Sequence, residues 1–122
     1  MQPIGRSWLH LRKLLRSQRK IAGDQTREVC LHSANNLSVH AHRTPTGNLR
    51  FTGHDLNGPE YEYVITVAAA DIPTIVRALG GAADADVLEL LTRHRTAIVR
   101  KGEYTWLGEL GITVELWSHR EW

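Results

Sequence analysis

Seven histidines and one cysteine are the residues of this sequence best suited to metal or nucleophilic chemistry. His40 and His42 stand two apart in a run, Leu37–Arg43, where apolar and polar residues alternate, so both imidazoles leave the same face of a predicted strand. His32 belongs to the run before it, and His54 ends the run after it. Imidazoles gathered on one antiparallel sheet, with Asp55 beside them, suit zinc or another transition metal. The same spacing is met by polar residues that simply face away from Leu37, Val39 and Leu49. That plainer reading is adopted: His32, His40, His42 and His54 are the metal candidates, but no metal or cofactor is assigned.

Nucleophilic chemistry finds less support. Ser33 and Ser38 lie near histidines, yet no Gly-x-Ser-x-Gly elbow surrounds them. Cys30 alternates with Val29 and Leu31 and points to the face opposite them, as a packed or half-buried thiol does. There is no Walker A loop, dinucleotide glycine fingerprint or His-Glu-x-x-His. Gly80-Gly81 precedes Asp84 and Asp86, and acids at a helix start repel a phosphate instead of cradling it. The expectation is a protein that is not an enzyme.

These residues must be positioned by a chain of 122 residues, enough for one compact domain. With 42% apolar and 23% charged residues it has the composition of a globular protein. No run approaches the ~20 apolar residues of a membrane span, and a lone cysteine excludes a disulfide framework, so the cytoplasm is the expected compartment. The formal charge of +2 hides an asymmetry. Residues 1–23 carry Arg6, Arg12, Lys13, Arg16, Arg19 and Lys20 and no acid, whereas residues 24–122 set nine bases against all 13 acids, a net −4. Two parts are therefore expected: a basic amphipathic helical arm over 1–23, striped by Trp8, Leu11 and Leu15, and a single α+β domain over 24–122.

In that domain, residues 28–32, Leu37–His42, Leu49–Thr52 and Tyr61–Val67 alternate as strands, separated by the turn sequences Ala34-Asn-Asn36, Thr44–Asn48 and His54–Pro59. Such short connections predict a four-stranded antiparallel meander. The period then turns helical. Asp71-Ile-Pro73 opens a helix that Gly80-Gly81 ends. Asp84 is expected to cap a second helix, with Asp86 in its first turn and Val87, Leu88, Leu91 and Ile98 along its core side. Glu103–Leu110 reads as a short third helix, and Ile112–Ser118 as a C-terminal strand. The fold expected is α+β, with two to three helices packed on one face of the sheet.

The segments Glu60–Asp71, Ala78-Leu-Gly-Gly81, Asp86–Leu91 and Leu110-Gly-Ile-Thr-Val-Glu-Leu-Trp-Ser118 resemble a group of small α+β proteins of actinobacteria linked to polymorphic toxin systems as immunity proteins. The resemblance spans about residues 27–118 and leaves out the arm. It implies a non-catalytic domain whose partner is a toxin encoded nearby, and it transfers no catalytic residue. The residues themselves supply a surface for such a partner. Asp55, Glu60 and Glu62 gather at one loop and strand start, Asp84 and Asp86 at a helix start, and Trp117 on the wet face of the last strand. Acids steer a basic partner, and tryptophan anchors interfaces. Two other classes stay open: a His-dependent metalloenzyme, and a nucleic-acid-binding regulator using the basic residues of segment 6–20. The second is not favoured, because the body holds no nucleic-acid motif. The arm has further readings as a membrane-surface helix, an organelle transit peptide, a segment docked on its own domain, or an extension from an upstream start.

Overall fold

A computed structural model of the chain describes residues 27–121. The helical arm expected over 1–23, and with it the nucleic-acid candidate segment 6–20, lies outside the described residues. What is described is an α+β domain. Strands β1 (Glu28–Ala34), β2 (Leu37–Arg43), β3 (Leu49–Asp55) and β4 (Glu60–Val67) are followed by helices α1 (Ile72–Ala78), α2 (Val87–Arg93), α3 (Arg95–Lys101) and α4 (Glu103–Glu109), then strand β5 (Glu115–Glu121). The five strands form one antiparallel sheet in chain order, β1-β2-β3-β4-β5. None of these helices is long and apolar enough to cross a membrane.

The turns follow from their residues. Asn35 and Asn36 both take positive φ, 52° and 62°, the conformation of a two-residue hairpin turn that asparagine tolerates best among side-chain-bearing residues. Between β2 and β3, Thr44 closes the loop twice: its N–H donates to the Asn48 carbonyl at 2.8 Å, and its hydroxyl accepts from Asn48 N–H at 3.0 Å. β1 contains one irregularity. Cys30 pairs with His40, but His32 pairs with Val39, so a bulge shifts the register by one residue.

The alternating apolar residues of the sheet (Leu31, Val39, Ala41, Leu49, Phe51, Ile65 and Val67) bury themselves against Ile72, Ile75, Val76, Leu88, Leu91, Ile98 and Leu107. The helix layer departs from the expected one in two respects. The second expected helix is two helices, α2 and α3, divided at His94, whose φ of −105° and ψ of 15° leave the helical region. Asp86, not Asp84, caps α2: its side chain accepts from Leu88 N–H at 3.0 Å, while Asp84 lies exposed two residues earlier. An aspartate can satisfy a free N–H only from the residue directly preceding the first turn, and Val87 is where helical dihedrals begin.

One contact ties strand register to packing. Gly53 on β3 faces Tyr63 on β4, and the tyrosine ring occupies the space above the glycine. A Cβ at residue 53 would stand 2.0 Å from the ring carbon Cζ, far inside contact distance. Gly53→Ala must therefore displace a packed aromatic ring, and we expect a loss of about 2–3 kcal/mol in urea unfolding, the upper range for overpacking.

Candidate functional site

Because successive side chains on a strand face opposite ways, the ladder assigns every polar residue of the sheet to a face. Away from the helices, three cross-strand rows form: Ser38–His54–Glu62–His119, Cys30–His40–Thr52–Val64–Trp117 and Glu28–His42–Arg50–Thr66–Glu115. Four of the seven histidines thus share this outer face. Its centre is not the wet surface that the alternation suggested. Val64 and His42 are buried, and Glu62 is only 2% exposed. The expected exposure of Glu62 is corrected accordingly; Glu60, two residues earlier on the same face, is half-buried.

Among the described residues, one cluster of potential metal ligands lies along the first row. His54 Nε2 is 2.7 Å from Glu60 Oε2, and one ligand atom from each of His54, Glu60 and Glu62 falls within 4.8 Å of the others. Register makes this possible: His54 is directly opposite Glu62, and Glu60 is its diagonal neighbour. The loop between β3 and β4 holds both ends of the cluster. Asp55 Oδ1 accepts from Asn57 N–H at 2.8 Å, Asn57 Nδ2 donates to the Asn35 carbonyl at 2.9 Å, and Leu56 N–H donates to the Asn36 carbonyl at 2.8 Å. Gly58, at φ 78°, completes the reversal.

The four histidine candidates are thereby separated. His54 joins the cluster. His40 and His42 share its face from β2, but their rings are not among the converging ligand atoms. His32 is turned out of the set by the bulge, which aligns it with Val39 and the helix side. Asp55 also faces the helix side, opposite Tyr61, and serves the turn. His119 was missed: the expected last strand stopped at Ser118, while β5 runs on to Glu121 and carries His119 opposite Glu62. Its parity with Trp117 was the available signal. The two rings stack with centroids 6.1 Å apart and planes 19° from parallel.

The acidic residues do not form one patch. Asp84 and Asp86 precede α2 beside the β1 edge, whereas Glu60, Glu62 and Trp117 lie on β4 and β5, with Glu60 and Glu62 three strand spacings away, roughly 14 Å. Asp86 is already engaged. The Arg27 guanidinium hydrogen-bonds its carboxylate and holds it below the ordinary range, helped by Leu88 N–H, while partial burial opposes the shift. The groove beside that pair mixes Arg27, Arg93 and Arg95 with Asp86 and Glu89, so its charges largely oppose one another.

A second buried carboxylate meets the sheet from its other side. Glu103 begins α4 after Gly102, whose φ of 97° turns the chain out of α3, and it accepts a hydrogen bond from the Tyr63 hydroxyl. Neither residue carried a functional expectation beyond packing, because 40 positions separate them in the chain. Burial raises the Tyr63 phenol well above its ordinary value, and the neighbouring Glu103 charge adds to the rise. Tyr104, which follows Glu103, and Leu116 on β5 are both exposed.

No family model, curated protein or solved structure matches this chain in comparisons of sequence and fold.

The Tyr63–Glu103 bond yields a pH signature. A phenol whose pKa is raised on folding contributes stability that is complete below its unfolded value, about 10, and is lost as pH rises beyond it. Wild-type stability should therefore fall more steeply above pH ~10 than that of Tyr63→Phe. At neutral pH the variant should be about 1–3 kcal/mol less stable, because Glu103 loses a buried donor. Denaturant unfolding of both proteins across the alkaline range checks both statements.

Proposed function

We propose that this chain is a non-catalytic protein-binding domain that acts as an immunity protein, neutralising a cognate bacterial toxin. The observation that supports this most is strand β5. Among the described residues it is paired on one side only, by β4. It presents Leu116, 49% exposed, on one face and the half-buried Trp117 on the other. Side chains that alternate along a strand present different chemistry on its two faces and so supply specificity to a docked partner. Tryptophan is the residue most often found to anchor such contacts.

Charge supports one kind of partner. The net −4 of residues 24–122 favours a basic protein, and Glu115 stands exposed at the start of this strand. Long-range attraction of this type speeds encounter, which an inhibitor needs if it is to reach a toxin before the toxin acts. A docking surface built around β5 includes Trp117 and reaches Glu60 at the strand's far end. Asp84 and Asp86 would lie outside it, on the other edge of the sheet. The resemblance of the segments around Glu60–Asp71 and Leu110–Ser118 to immunity proteins agrees with the same reading.

Co-expression with the product of the neighbouring gene tests it. The chain should copurify with that product and protect the host, and Leu116→Asp should weaken binding about tenfold or more without lowering the melting temperature. A wild-type chain that neither binds nor protects overturns the proposal.

A further inference from the structure

The His54–Glu60–Glu62 cluster assigns this protein a second property, independent of any protein partner. We propose that it is a binding site for a divalent first-row transition ion of the zinc type. Three features support this. The donors are an imidazole nitrogen and two carboxylates, a set that zinc accepts and that alkali or purely oxygen-seeking ions do not select. They come from two adjacent strands in fixed register, not from a mobile surface, and Glu62 is almost wholly buried. Their ligand atoms already lie within 4.8 Å of one another.

The adjustment needed is small. Zinc bonds of about 2.0–2.2 Å place tetrahedral ligand atoms roughly 3.4 Å apart. His54 Nε2 and Glu60 Oε2, now 2.7 Å apart, must separate by less than about 1 Å, while the wider pairs close. The ion would replace the hydrogen bond between them, with His54 binding as the neutral imidazole through the Nε2 lone pair and carrying its ring proton on Nδ1. Rotation of an exposed carboxylate about its side-chain bonds supplies that movement, and Glu60 is the half-exposed member.

Positioning is provided from outside the cluster. The Asp55–Asn57–Asn35 hydrogen bonds pin the loop from which His54 and Glu60 emerge, so the backbone does not have to order when the ion arrives. An open cavity of about 220 Å³, lined in part by Ser38, His54 and Leu56, borders the same imidazole and leaves room for water. A site with three protein donors and solvent access differs from a closed structural zinc site, which uses four protein ligands.

Titration of the metal-free full-length chain with zinc chloride, followed by calorimetry, tests the site. One ion should bind per chain. His54→Ala and Glu60→Gln should each weaken binding tenfold or more, and His94→Ala, on the exposed α2–α3 junction, should leave it unchanged. Cobalt(II) added to the wild-type chain should give visible absorption bands of a low-coordinate site, and these bands should vanish on adding zinc. If His54→Ala does not fold, the cobalt spectrum together with Glu60→Gln decides the matter. Absence of stoichiometric zinc binding, or affinity that is the same in wild type and Glu60→Gln, overturns the proposal.

Discussion

The register between β3 and β4 is the constraint on which the rest of this domain depends, and Tyr63 sets it. Its ring covers Gly53, the one residue on β3 that leaves space for it, and its hydroxyl reaches Glu103 at the start of α4. A slip of one residue would put the ring against a side chain and turn the apolar face of β4 to the wrong side. With Tyr63 directed inward, Ile65 and Val67 enter the core and Glu62 and Val64 must face outward. The same register brings His54 opposite Glu62. Packing on one face thus determines the chemistry available on the other.

Two regions of differing character result. At the β3–β4 end, hydrogen-bonded turns hold His54 and Glu60 in place beside a buried carboxylate, an arrangement suited to a small ion. Along β5, Leu116 is exposed and Trp117 half-buried, an arrangement suited to another chain. They adjoin through the stacked pair of Trp117 and His119, because His119 lies opposite Glu62 and Trp117 opposite Val64.

The acids show why net charge alone is a poor map of a surface. Asp86 is occupied by Arg27 and by the first turn of α2, Asp55 by its own turn, and Glu103 by a tyrosine. Each serves local structure before it serves any partner. What remains for steering is the sum of the body's charges and the few carboxylates, such as Glu115, that stay exposed.

Much was legible from the chain itself. Period-two alternation and the Asn35-Asn36, Thr44–Asn48 and His54–Pro59 turns were sufficient for the four-stranded meander, because strand faces and reversals are set by neighbouring residues. The change to helical spacing after Asp71 was legible for the same reason. Tertiary structure decided what depends on distant residues. The bulge that removes His32 from the outer face, the break at His94, the choice of Asp86 over Asp84 as cap, and the extension of β5 to His119 each depend on how elements pack. The burial of Glu62 and its approach to His54 belong to this second group. Sequence spacing specifies which face a side chain leaves, but only the assembled sheet determines what stands across from it and how much water remains.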